Sequence, residues 1–112
     1  MEGLAEWLRE AGCQGPLVVI KDGGQALDLE GFEAVVVVDA DRGFDPAFTL
    51  ATFHPREVLA IDPDAETLAA VWDSLTVERL YCAGGAGIVE IEAPAGWTRR
   101  DAGLQRYCYE KA

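Results

Sequence analysis

The chain is short of positive charge. Nine Lys and Arg stand against twenty Asp and Glu in 112 residues, leaving a formal net charge of −11. A surface of that sign repels nucleic-acid phosphates, so direct nucleic-acid binding is not expected. Cysteine is scarce as well. Cys13, Cys82 and Cys108 form no CxxC pair and are odd in number, which argues against a zinc cluster and a disulfide framework. They read as small buried hydrophobes, Cys82 in a core strand and Cys108 on a helix face. The single histidine, His54, leaves little for a catalytic triad, and no Ser or Cys has a GxSxG-like setting. Lying between Phe53 and Pro55, it reads as a helix C-terminal cap. No apolar run approaches the length of a bilayer span, and MEGLAEWLRE lacks the basic-then-apolar layout of a signal peptide. No membrane association is expected, and the expected compartment is the cytoplasm.

Apolar residues make up 50% of the chain and the mean hydropathy is +0.06, which points to a packed core rather than disorder. The length suits one domain, residues 1–112. Leu4, Trp7, Leu8 and Ala11 recur at helical spacing opposite Glu2, Glu6, Arg9 and Glu10, with Gly12 as a stop signal. Pro16 opens a strand over 17–20, and a second follows over 34–38. The connection between them is short for a parallel crossover.

Two strand-then-Asp-Pro units come next. AVVVVDADRGFDPAF (34–48) and VLAIDPDAETLAAVWDSL (58–75) each run an apolar strand into an Asp, with Asp45-Pro46 and Asp62-Pro63 placed to start helices. Phe48, Leu50, Ala51 and Phe53 make the first helix apolar; Leu68, Val71, Trp72 and Leu75 form a stripe on the second. Further strands are expected over 77–83 and 88–91, joined by a glycine-rich turn as an antiparallel edge hairpin. Thr98-Arg99-Arg100-Asp101 has the layout of a capping box opening a last helix, although LQRYCYE also alternates like an edge strand. The expected fold is α/β: a mostly parallel sheet with flanking helices, RecA-like or Rossmann-like.

Parallel strands would bring Asp22, Asp39, Asp41, Asp62 and Asp64 with Gly84, Gly85 and Gly87 to one carboxyl edge, where open α/β sheets bind ligands. Asp39, Asp41, Asp62 and Asp64 could there hold Mg²⁺, a hard cation that wants oxygen ligands. Strand ends and helix caps would place the same residues without a metal. KDGGQAL lacks the spacing of a phosphate loop, and AGGAGI is not followed by a convincing helix. The few cations gather late: Arg99, Arg100, Arg106 and Lys111 face only Asp101 and Glu110 near the C-terminus. Such a segment could dock on an acidic protein surface or simply be solvated. Trp7 and Trp72 read as core, whereas Trp97, in a Pro/Gly loop, is the tryptophan best placed to meet a partner.

Residues 35–75 resemble part of the RecA-like core. VVVVDADRGFDPAF is similar to that family's strand-DAE-x-x-x-DP-x-[YF] element, and VLAIDPDAETLAAVWDSL to the strand and helix that follow. KDGGQAL stands where the family has its P-loop, Asp41 where it has a catalytic Glu, and RLYCAGG has no acidic Walker B end. The resemblance therefore implies a domain without a nucleotide site, similar to SulA and ImuA, compact relatives that act by binding proteins in cell division and DNA repair. IEAPAGWTRRDAGLQRYC resembles their closing strand-loop-helix. A competing resemblance is to TOPRIM domains, through LVVIKDGGQALDLEGFEAVV and the later DPD. That family holds Mg²⁺ for phosphodiester chemistry, but Lys21 occupies the position of its Glu.

The function expected from the sequence is a non-catalytic module that binds a protein partner, with no cofactor and with Trp97, Arg99, Arg100 and Arg106 as partner-binding residues. The alternatives are a Mg²⁺-dependent phosphotransfer or nuclease-type enzyme on the four aspartates, and a small structural subunit that pairs with itself or another chain through the strand at 88–91.

Overall fold

Short β-branched runs alternate with helices, and a computed structural model shows how they assemble. It describes residues 3–21, 29–32, 35–39, 45–84, 93–101 and 106–112, with 35–39 and 101 described by backbone alone. Among these residues the strands are β1 (Leu17–Lys21), β2 (Val35–Asp39), β3 (Glu57–Ile61), β4 (Arg79–Ala83), β5 (Trp97–Asp101) and β6 (Arg106–Lys111). The helices are α1 (Leu4–Glu10), α2 (Pro46–Phe53) and α3 (Ala65–Asp73). One mixed sheet takes the order β2-β1-β3-β4-β6-β5. The pairs β1–β2, β1–β3 and β3–β4 are parallel, while β4–β6 and β5–β6 are antiparallel.

β3 is buried at all five positions, as expected for a central strand covered on both faces. Alternation along the strands divides the core in two. Leu17, Val19, Leu59, Ile61 and Tyr81 pack under Leu4, Trp7 and Leu8 of α1. Val18, Ile20, Val58, Ala60 and Leu80 pack on the opposite side with Leu50 of α2 and Val71 of α3. The parallel β1–β2 pair confirms that the short crossover can be made; Leu29 and Phe32 from that connection pack on the α1 side.

Local chemistry sets the helix ends. After α1, Gly12 takes φ +90°; its N–H donates to the Arg9 carbonyl, and the Cys13 N–H to that of Leu8. This paired closure needs a left-handed residue, which glycine supplies without a Cβ clash. Asp45 caps α2 through Oδ1, which accepts from the amides of Ala47 (3.0 Å) and Phe48 (3.2 Å), with Pro46 in the first turn. His54 ends α2 as expected, in the left-handed region at φ 48°, donating its N–H to Leu50.

Several expectations are corrected. The cap of α3 is Asp64, not Asp62: Asp64 Oδ1 accepts from the Thr67 amide at 2.8 Å. Asp62 instead follows β3 with φ 46° and donates its N–H to the Ala83 carbonyl. Leu75 lies beyond the end of α3 and is 96% exposed, so it does not belong to that helix's buried stripe. Among the described residues no helix follows Thr98; residues 97–101 and 106–111 are strands. Cys108 points to the α1 side and Tyr109 to the other, a period of two rather than 3.6. Among the described residues β6 (Arg106–Lys111) also lies inside the sheet, between β4 and β5, rather than at its edge. The antiparallel partner of β4 is thus β6, while the strand expected at 88–91 lies outside the described residues. No helix among the described residues is long and apolar enough to cross a membrane.

Candidate functional site

The carboxyl edge of the parallel strands is the first candidate. The described residues of the β1–β2 connection, 29–32, pack on the α1 side, whereas from β3 the chain crosses to β4 through α3 on the opposite side. The connections therefore diverge between β1 and β3, and a crevice at such a point is where open α/β sheets hold ligands. Lys21 pairs in register with Asp39 on one side and lies level with Ile61, just before Asp62, on the other. Asp62 is exposed and has the left-handed backbone noted above.

Among the described residues this edge carries Lys21, Asp39 and Asp62. Asp64 is occupied as a cap, and the Thr67 amide, helped by its hydroxyl, holds the Asp64 carboxyl below its ordinary value. Asp39 is described by backbone alone, and Asp22, Asp41, Gly85 and Gly87 lie outside the described residues. Among the described residues no group of three or more His, Cys, Asp or Glu could hold a metal ion.

The expected partner-binding residues have intramolecular neighbours. Trp97 is half-buried, its ring 5.0 Å from that of Trp72 at 66°. The Arg99 guanidinium lies 5.7 Å from the centre of the Tyr107 ring. Arg100 donates to Glu110 at 3.2 Å. Arg106 lies over Trp7 and donates to the Gly3 carbonyl at 3.3 Å. The first two pack on one face of the hairpin and the last two on the other, so the four do not form one patch.

The second candidate is apolar and was not anticipated. Ala47, Leu50, Ala51 and His54 recur at i, i+3, i+4 and i+7 along one side of α2, and face Ala70 and Leu75 across a groove of about 290 Å³. Phe48, one turn before Ala51, is 70% exposed, and Phe53 is 49% exposed. The sequence signal was available: PAFTLATF contains no charged residue, so it has no charged face to turn to water.

The opposite, amino edge of the sheet carries a buried carboxylate. Glu57 Oε1 accepts from the amides of Gln14 (3.0 Å) and Gly15 (2.9 Å), and Oε2 accepts from the Tyr81 hydroxyl at 2.7 Å. Burial, then the nearby Glu57 charge, push the Cys13 thiol up to about 12. Burial, then Cys108, push Cys82 up to about 12, and burial also raises Cys108. Cys82 and Cys108 pack on opposite sides of the sheet, so they cannot pair. Neutral, enclosed thiols of this kind are poor nucleophiles. Glu57 accordingly acts as an anchor for the loop before β1.

No protein-family model, curated protein or solved structure matches the chain.

Proposed function

We propose that the chain is a non-catalytic protein-binding module that works through the α2–α3 face. The observation carrying this reading is α2 itself: an uncharged eight-residue helix whose Ala47, Phe48, Ala51 and Phe53 are exposed. Thr52 is the one polar residue on that exposed side, and its hydroxyl donates to the Phe48 carbonyl. A helix so poor in polar surface is ordinarily buried, and here the sheet covers only one side of it. Covering a side chain such as Phe48 or Leu75 would contribute roughly 1.5–3 kcal/mol. The reading also includes a RecA-like relationship, with β2-β1-β3-β4 as the related parallel core and no phosphate-gripping loop, and a regulatory or accessory role in DNA repair or cell division. That part draws on the strand-DP motifs rather than on the groove.

A second reading is supported by Asp62. A non-glycine residue held at positive φ stores strain, and such residues cluster at functional sites. It would make the chain a Mg²⁺-dependent phosphotransfer or nuclease-type enzyme using Asp39, Asp41, Asp62 and Asp64. Lys21 at the same edge opposes it, because a fixed cation competes with a metal for the same carboxylates.

Two measurements separate the readings. Melting followed against Mg²⁺, with and without ATP, rises if the folded chain holds either ligand. The protein-binding reading expects no rise. It also expects affinity capture from the native host to retain a partner with Asp62→Asn and lose it with Ala51→Arg. A rise that Asp62→Asn abolishes, or a partner indifferent to Ala51→Arg, overturns it.

A further inference from the structure

Resting on the protein-binding reading, we infer that the α2–α3 groove receives an amphipathic helix bearing lysine or arginine at the end that meets His54 and Asp73. The groove wall formed by Ala47, Leu50 and Ala51 follows one side of a two-turn helix, a length suited to apolar anchors at i, i+3 or i+4, and i+7. Small alanines on both walls leave room for larger side chains from the partner, and Leu75 stands beside them without cover.

Charge defines the end of the groove. Both α2 and α3 finish there, as His54 and Asp73–Thr76 along its wall show. Neither helix has a basic residue in its last turn, and α3 ends on the exposed carboxylate of Asp73. Helix C-termini carry partial negative charge that is normally offset by cations in the last turn. Here two such ends and a carboxylate converge on one apolar groove with no cation of their own in either last turn. A second copy is a poor occupant, since each chain brings a net charge of −11.

The probe is a fluorescein-labelled Ala/Leu helix of about sixteen residues with the apolar spacing above and lysines at both ends, compared with its glutamate counterpart. Anisotropy should show the lysine helix binding at least about five-fold tighter at low salt, with the gap narrowing as salt screens it. Asp73→Lys should erase the preference, and Ala51→Arg should abolish binding of both helices. Equal binding of the two helices, binding that survives Ala51→Arg, or no binding of either overturns the inference. So does sedimentation showing a dimer that Ala51→Arg dissociates. If neither helix binds while host capture still depends on Ala51, only the basic-helix inference fails; if capture also fails, the protein-binding reading goes with it.

Discussion

The Tyr81 hydroxyl donates to Glu57 Oε2 at 2.7 Å across the β3–β4 pair, and both residues are buried. Three donors converge on this one carboxylate, because the amides of Gln14 and Gly15 occupy its other oxygen. Removing the acceptor strands all three. Glu57→Ala should cost about 3 kcal/mol, Tyr81→Phe about 1 kcal/mol, and Glu57→Gln an intermediate amount because it keeps one oxygen. Urea unfolding of the single and double variants, read as a cycle, checks the coupling. If Glu57→Ala melts like the parent, the carboxylate does not anchor the loop.

The thiols give a pH prediction. Cys13 and Cys82 are pushed up from 9.0 to about 12 by burial. For a group whose folded value is raised, the stabilising effect is complete below the unfolded value and is lost as pH rises through the folded one. Stability should therefore fall between about pH 9 and 12, and a Cys13→Ser, Cys82→Ala pair should flatten that decline. At pH 8 a disulfide reagent should titrate none of the three thiols in the native chain and all of them in denaturant.

The helix caps make the complementary case. Asp45→Ala and Asp64→Ala should each cost about 1 kcal/mol, measured by thermal or urea unfolding. Asp64 is held low by the Thr67 amide, so its contribution is complete above the ordinary carboxylate range and is lost as pH falls through the lowered value. Asp64→Asn should keep most of the cap and remove that acid-side dependence.

Both left-handed residues can be tested by substitution. His54 (φ 48°) and Asp62 (φ 46°) sit where a Cβ is penalised. His54→Gly should leave stability level or raise it by up to about 1 kcal/mol, and Asp62→Val should lower it by more than that. A loss of stability with His54→Gly would show that the imidazole makes a contact worth more than the backbone strain.

Much of the central fold was legible because its signals were local. β1, β3 and β4 announce themselves as apolar runs, α1 by its Leu4-Trp7-Leu8 spacing and Gly12, and α2 by Asp45-Pro46. The C-terminal hairpin was misread because Tyr107, Cys108 and Tyr109 face opposite cores, a fact that depends on β6 being inserted beside β4. Thr98-Arg99-Arg100-Asp101 carries a helix-start pattern that this tertiary pairing overrides. Asp62-Pro63 looked like Asp45-Pro46, yet pairing of the Asp62 N–H with Ala83 extends β3 and delays the cap to Asp64. The groove was missed for a different reason. Phe48, Leu50, Ala51 and Phe53 mark α2 as apolar without showing which of them the sheet covers, and only Pro46, Thr49 and Leu50 are buried.

The most direct test places a photo-crosslinking residue at position 75 or at position 21 and irradiates each chain in native host cells. The account predicts a discrete protein adduct from position 75, lost when Ala51→Arg is added, and none from position 21. An adduct from position 21 alone would move the working surface to the carboxyl edge and contradict the account.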